Sequence, residues 1–287
     1  MSSFLGVLFD GIAYGSLLFI ISVGLSVTMG LMNFVNLAHG AFAMFGGYVC
    51  LVVMSRAGMP FFGALVTAFL GTAAIGVVME RLFYRHLYRA GHLDQVLFTV
   101  GLAFVAVSSA TFMFGPRQLA IPIPDYLKGR IDILGVEIGV YRLFLVAVVL
   151  CITATLVLVV SKTRFGAQLR ATVDDTLAAA GSGINVNMTY AVAFALGSGL
   201  AGLGGALGVE VLALEPAYPL KYLVDFLLVA VLGGTGTLVG PLLAALVIGI
   251  VDVGGKYYLP ELGAFAIYAM LPVLVVLYPN GLVGRRA

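Results

Sequence analysis

Asn33, Asn36 and His39 stand within Gly30-Leu31-Met32-Asn33-Phe34-Val35-Asn36-Leu37-Ala38-His39-Gly40, a stretch with apolar sequence on both sides. An amide donates and accepts hydrogen bonds and an imidazole offers one nitrogen for each role, so these side chains can hold or pass a small polar solute. Where an apolar run crosses a membrane, such groups are costly to bury and are functional candidates by default. For His39 the plainer expectation is a hydrogen bond that only holds a broken helix in place, and the residues alone leave both readings open.

Leu232-Gly233-Gly234-Thr235-Gly236-Thr237-Leu238-Val239-Gly240-Pro241 is a second stretch of this kind. Gly233 and Gly234 can offer backbone N–H and C=O groups to a zwitterion, and a half-helix starting after them would favour a carboxylate at its N-terminus. Thr235 and Thr237 add hydroxyls. The competing expectation is glycine used for close helix packing.

A third feature lies on a polar connection, Ser161-Lys162-Thr163-Arg164-Phe165-Gly166 through Arg170 to Gly183-Ile184. Asp174 or Asp175 can cap a short helix whose small face, Ala178, Ala179 and Ala180, ends at Gly183. Small residues allow close backbone approach, which suits docking into a partner's groove; an ordinary interhelical loop is the alternative.

Other chemistries find no support. His39, His86 and His92 are scattered, no metal-ligand spacing occurs, and no nucleophile is paired with a base, so neither an enzyme nor a metal site is expected. The lysines are Lys128, Lys162, Lys221 and Lys256, and none completes the Gly-x-x-x-x-Gly-Lys-[Ser/Thr] loop that cradles nucleotide phosphates. Cys50 and Cys151 lie in apolar runs and read as small hydrophobes. Net charge is +2 without a basic stripe, which gives nucleic acid nothing to bind.

The elements that must position these residues are set by composition. Of 287 residues 62% are apolar and 10% charged, against roughly 45–50% and about 25% in soluble domains. Uncharged runs separate Asp10 from Arg56, Arg56 from Glu80, Asp94 from Arg117, Arg142 from Lys162, Asp175 from Glu210, Asp225 from Asp252 and Glu261 from Arg285. Each exceeds the ~18 residues that mark a membrane span. Lipid forces the backbone to satisfy its own hydrogen bonds, and the runs lack the period-2 alternation of barrel strands, so the fold class is an all-α polytopic bundle of about eight apolar segments. Residues 1–287 read as one transmembrane domain, and a removable signal peptide is not expected.

The first run, 11–55, would be roughly 68 Å long as one helix, about twice the apolar thickness of a bilayer. It must break, and the 30–40 stretch is where polar residues and glycine permit it. Further spans are expected at 61–80, 96–115, 143–161, 188–213 and 262–282, with an interrupted segment at 223–251. Arg81, Arg85 and Arg89, then Lys162, Arg164 and Arg170, then Arg285 and Arg286 should share the cytoplasmic face. That requires the glycine-rich segment to enter and return on one face. Residues 116–142, with three prolines, should form the main external loop, partly extended. Glu210, Glu215, Lys221 and Asp225 fall near the external mouth, seating a partner or simply solvated. Asp10, Glu80, Asp225 and Glu261 are expected to flank spans, leaving few carboxylates at membrane depth for ion coupling. The small-residue pairs Gly11/Gly15, Gly197/Ala201 and Gly204/Gly208 should let helices touch, in this chain or against a sister subunit. The two glycine-broken segments also raise the expectation of an internal repeat.

The three features together carry a resemblance. Met32 to Gly40 is similar to the "INFAHG" element of the LivH-type branched-chain amino acid permeases, Ala230 to Pro241 resembles their late "VLGGIGSxxG" element, and the Ala-Ala before Gly183-Ile184 resembles the coupling region of ABC importer permeases. Where that family has Asp or Asn, Pro and Glu before its Ala-Ala pair, this chain has Asp174-Asp175-Thr176-Leu177. The resemblance implies a subunit in a bacterial inner membrane working with a second, homologous permease, two cytoplasmic ATPases that bind ATP and Mg, and a periplasmic substrate-binding protein. It implies ATPase coupling through Arg164, Arg170, Asp174, Asp175, Ala178, Ala179, Ala180 and Gly183. It also implies a substrate path by Asn33, Asn36, His39, Gly233, Gly234 and Thr235, with no cofactor in this chain itself. Small, mostly apolar amino acids are the expected cargo. The alternative is a secondary transporter or channel for a small polar solute such as urea or an amide, since broken helices serve those equally well.

Overall fold

The computed structural model describes residues 2–32, 34–88, 90–133, 135–234 and 238–263, with 265, 269, 272, 273, 276, 277, 281 and 282 beyond them. Among the described residues, seven helices are long and apolar enough to cross a membrane. The order is α1 (Ser2–Met32), α2 (His39–Ala57), α3 (Phe61–Met79), a π-helical turn (Glu80–Tyr84), α4 (Arg85–Leu87), α5 (His92–Phe114), a hairpin of β1 (Arg130–Ile133) and β2 (Val136–Gly139), α6 (Val140–Lys162), α7 (Arg164–Asp174), α8 (Thr176–Gly181), α9 (Val186–Leu207), α10 (Tyr218–Lys221), α11 (Leu223–Gly233) and α12 (Val239–Tyr258).

α9 is the centre of the bundle and packs on α1, α2 and α3. Its glycines make this possible. A Cβ on Gly24 would stand 2.6 Å from the Cα of Gly197, and one on Gly46 would meet the backbone of Gly202 closer still. Close backbone approach of this kind is how helices associate where lipid removes the hydrophobic drive. Gly11 and Gly15 face Ile250 and Leu246 of α12 in the same manner, while Gly204 receives Ile20 and Ile21, and Gly208 receives Leu17. These small residues therefore serve packing within the chain. α5 and α6 lie outside, turning Phe104, Phe112, Leu150 and Leu158 outward.

Two ends are distinguishable. Arg81, Arg85, Lys162, Arg164 and Arg170 share a basic end with α7 and α8. The hairpin marks the other, and the Asp10–Arg142 ion pair brings the start of α1 to it. α12 runs antiparallel to α1, so its Tyr258 end returns to the hairpin end. With 11 residues, α11 reaches only about 16 Å, half a bilayer. α11 alone is thus too short to cross, while α12, one of the seven long helices, runs back to the hairpin end. The run at 262–282, and Arg89, Arg285 and Arg286, lie wholly or largely outside the described residues.

Residues 116–142 are partly extended, but through an ordered hairpin in which Arg130 pairs with Glu137 at 2.9 Å and Gly135 turns the chain at φ +79°. The third span is also longer than its apolar run: helix continues from Phe61 to Leu87. Glu80 does not end it and does not flank it. Its side chain is 3% exposed inside the bundle and accepts a 3.2 Å hydrogen bond from the Tyr88 hydroxyl. Arg81 and Arg85 remain exposed at the basic end, long side chains keeping their heads wet.

Candidate functional site

The break between α1 and α2 is closed by side chains from α5 and by its own Asn36 and His39. Val35 N–H donates to Gln95 Oε1 at 3.1 Å and Leu37 N–H to Thr99 Oγ1 at 3.2 Å, both acceptors standing on α5. Asn36 Oδ1 accepts from Ala38 N–H at 3.1 Å, and the His39 N–H returns to the Asn36 carbonyl. His39 Nε2 donates to the Ile21 carbonyl of α1 at 2.9 Å. Four N–H groups at the break, those of Val35, Leu37, Ala38 and His39, therefore have acceptors, as a dry interior requires.

Asn36 is 0% exposed and His39 2%, so both are closed off from solvent in this conformation. Of their remaining nitrogens, Asn36 Nδ2 stands toward the Tyr84 hydroxyl and His39 Nδ1 has no hydrogen-bond partner among the described residues. His39 thus is a latch on α1 and also holds a spare polar group at depth. Asn33 lies outside the described residues. Gln95 and Thr99, which sequence reasoning passes over, carry the break; their signal is a polar pair four residues apart on one face of an apolar helix.

The second break is held differently. A Cβ on Gly233 would sit 2.5 Å from the Cα of Pro241, so Gly233 serves close packing between α11 and α12. Gly234 takes φ +74° and its N–H donates to the Val231 carbonyl at 3.2 Å. The Leu232 carbonyl is taken by Leu282 N–H at 2.7 Å. The Gly234 N–H is thus engaged locally, and Thr235, Gly236 and Thr237 fall outside the described residues.

Toward the hairpin end, α1, α11 and α12 enclose a polar group that the sequence alone does not assemble. Asp252, 2% exposed, pairs through Oδ2 with Lys256 at 2.7 Å, and Lys256 Nζ lies 6.0 Å from the centre of the Tyr14 ring. Asp225 faces the same Tyr14 and Asp252. Asp252 within α12 and Glu80 within the third helix are thus buried carboxylates, Glu80 against the expectation that it flanks a span, whereas Asp225 stands in the first turn of α11, as expected. Nearby, Lys221 pairs with Glu215 at 2.5 Å, and that carboxylate raises the lysine above its ordinary value.

At the basic end three successive helices are each capped by a side chain. Thr163 accepts from Gly166 N–H, Asp175 from Leu177 and Ala178 N–H at 2.8 and 2.9 Å, and Asn185 from Met188 N–H. Of the two aspartates, Asp175 is the cap; Asp174 closes α7. α8 ends at Ser182, with Gly183 in the left-handed region at φ +83°. The small face is split. Ala179 turns inward and is buried, while Ala178, Ala180 and the 85% exposed Leu177 face out. Arg164 is exposed, and Arg170 donates to the Val160 carbonyl at the end of α6.

Comparison with known proteins places this architecture. Residues 7–277 match the family described as "Branched-chain amino acid transport system / permease component". Among similar curated proteins, the high-affinity branched-chain amino acid transport system permease protein BraD of Pseudomonas aeruginosa is 25% identical, covering 97% of this chain and 95% of its own. LivH of Escherichia coli, of the same description, is 25% identical over 98% and 96%, and the probable branched-chain amino acid transport permease protein LivH of Methanocaldococcus jannaschii is 25% identical over 94% and 88%. No solved structure matches the chain significantly. A multi-pass helical bundle with this near end-to-end match belongs to the branched-chain amino acid transport permease family.

Proposed function

We infer that the chain is the membrane-spanning permease subunit of an ABC importer for branched-chain amino acids, in a bacterial inner membrane. The observation that carries the reading is the family match from residue 7 to residue 277. The relatives are named for branched-chain amino acid transport, and their lengths are matched almost completely. Its cytoplasmic face is the basic end, as the placement of Arg81, Arg85, Lys162 and Arg164 favours.

In this reading ATP and Mg belong to two separate ATPase subunits, a homologous permease completes the path, and a periplasmic binding protein delivers substrate at the hairpin end. α7 and α8 take up the ATPase motion. Their side-chain caps make them stiff enough to move as a unit, and Leu177 with Ala178 and Ala180 supplies an apolar contact surface. The shut break around Asn36 and His39 is the part of the path that must open. A cargo with an apolar side chain and a small zwitterionic head needs few polar groups along an apolar route, and Asn36 Nδ2 and His39 Nδ1 are such groups.

The test is reconstitution in proteoliposomes. With ATPases, sister permease and liganded binding protein present, ATP on the side of the ATPases should drive leucine transport toward that side, and Ala179→Arg should abolish it while the protein still inserts. Solute flux through the purified chain alone, without ATP, would overturn the reading in favour of a self-sufficient transporter or channel.

A further inference from the structure

From the capped helix α8 to His39, ring contacts run without a gap. Thr176 Oγ1, at the start of α8, lies 3.4 Å from the Tyr190 hydroxyl on α9. The Tyr190 ring meets Tyr88, just past α4, edge to face at 5.6 Å and 82°. Tyr88 in turn meets Phe34, inside the first break, at 5.6 Å and 81°. From Phe34 the contacts continue through Tyr84 at 5.2 Å, Phe194 at 5.0 Å and Phe42 at 5.8 Å. Phe42 lies 6.1 Å from the His39 ring.

We propose that Tyr190 and Tyr88 are positioning residues of transport, linking displacement of α8 to the polar break at Asn36 and His39. The link rests on the importer reading and is the mechanical connection within it. Three observations carry it together. First, the rings are stiff and close-packed, so a shift at one end is passed on instead of absorbed. Phe34, Tyr84 and Phe194 are essentially inaccessible to solvent. Second, beside α7 the packing leaves an apolar crevice between α1, α6, α7, α9 and the start of α12, bordered by Val27, Val159, Phe165 and Leu238.

Third, the link passes through a helix whose register is irregular. The helix leading to Tyr88 contains the π-helical turn Glu80–Tyr84, and such turns carry one residue more than an α-helix accommodates. Returning that residue to α-helical register rotates the downstream helix by about 100°. Such a rotation would carry Tyr88 off Phe34 and break its 3.2 Å bond to Glu80. Gln95 reports the same movement, since it joins the Leu87 and Ala90 carbonyls to Val35 N–H.

The test measures leucine uptake and binding-protein-stimulated ATP hydrolysis in the same vesicles holding the whole importer. Tyr88→Leu and Tyr190→Leu should each lower uptake per ATP by about tenfold, with hydrolysis changed little, the size of a typical coupling between sites. The double variant should be no worse than the worse single, because both break one link. Tyr190→Phe, which keeps the ring on Tyr88 but loses the hydroxyl contact to Thr176, should give a ratio between those of wild type and Tyr190→Leu. Phe61→Leu, in the aromatic cluster at the hairpin end, should move uptake and hydrolysis together, as a packing defect does.

An unchanged ratio in Tyr88→Leu and Tyr190→Leu, or losses that multiply in the double variant, overturns the link while wild-type vesicles remain active. Should Tyr88→Leu fail to assemble, the half-buried Tyr190→Leu and its Phe counterpart decide alone. Wild-type vesicles with no ATP-driven uptake would sink the importer reading, and the link with it.

Discussion

At the first break, between Met32 and His39, the backbone is held by side chains arriving from α5 and by His39 reaching to α1. At the second, between Gly233 and Val239, it is held by the fit of glycine against Pro241 and by backbone hydrogen bonds to Val231 and Leu282. A side-chain latch can let go one bond at a time, at about 1 kcal/mol net for each. A glycine pressed on another backbone has no intermediate position, since nothing in contact there can rotate away. The two stretches, so alike in composition, therefore divide the work. The first can rearrange, and the second is a fixed corner about which α11 and α12 turn. A spare buried nitrogen occurs at the first, on His39.

The largest effect should come from filling the fixed corner. Gly233→Val would drive a branched side chain into the Pro241 backbone, where neither partner can yield. Overpacking of this severity costs about 3 kcal/mol or more, so little folded protein should be recovered in detergent. A variant melting at the wild-type temperature would show that the second break is as adaptable as the first.

Next is the latch with most bonds. Gln95→Leu strips the acceptor from the part-buried Val35 N–H and one donor each from the Leu87 and Ala90 carbonyls, the first of which keeps the Ala90 N–H. The cost should be about 2–3 kcal/mol, read by thermal unfolding of the purified subunit. Gln95→Glu keeps the acceptor for Val35 only and should fall between the two. If it matched wild type, the carbonyls at the end of α4 would play no part in holding the break.

His39 distinguishes latch from path. His39→Gln can still donate to the Ile21 carbonyl, whereas His39→Leu cannot. Leu should therefore cost about 1–2 kcal/mol in stability and Gln about half that or less. If Gln also keeps uptake near wild type while Leu loses it, the imidazole serves as latch; if both variants are equally stable and only uptake falls, Nδ1 meets the solute.

These residues also mark how far the sequence could be read. Helical spans were legible because charge is absent from long runs, and the first break because Asn36 and His39 interrupt one of them with glycines on either side. Asp175 was legible as one of two possible caps, because capping is a local hydrogen bond. Gln95 and Thr99 were not, since their partners lie 60 and 62 residues away and nothing local distinguishes an amide latch from a helix terminus. Glu80 reads as the end of a span because a carboxylate usually is; Tyr88, two helical turns on, makes burial tolerable. Asp252 ends an uncharged run in the sequence, yet its Lys256 partner is at i+4 and lets it sit inside α12.

The smallest effect expected is at Thr99, and it discriminates best between a latch and a corner. Thr99→Val keeps the shape of the side chain and removes one acceptor, the one that receives Leu37 N–H at 3.2 Å. Its own hydroxyl proton is already spent on the Gln95 carbonyl at 2.8 Å, which has its own helical partner. The loss is therefore confined to a single N–H of the break, worth about 1 kcal/mol. Hydrogen exchange at Leu37 should quicken about fivefold, following the opening free energy, while amides of α11 and α12 stay as they were. Thr99→Ser, which retains the hydroxyl, should exchange like wild type. A change that spread equally to Gly234 would mean that the two breaks open as one unit, and the division between them would have to be given up.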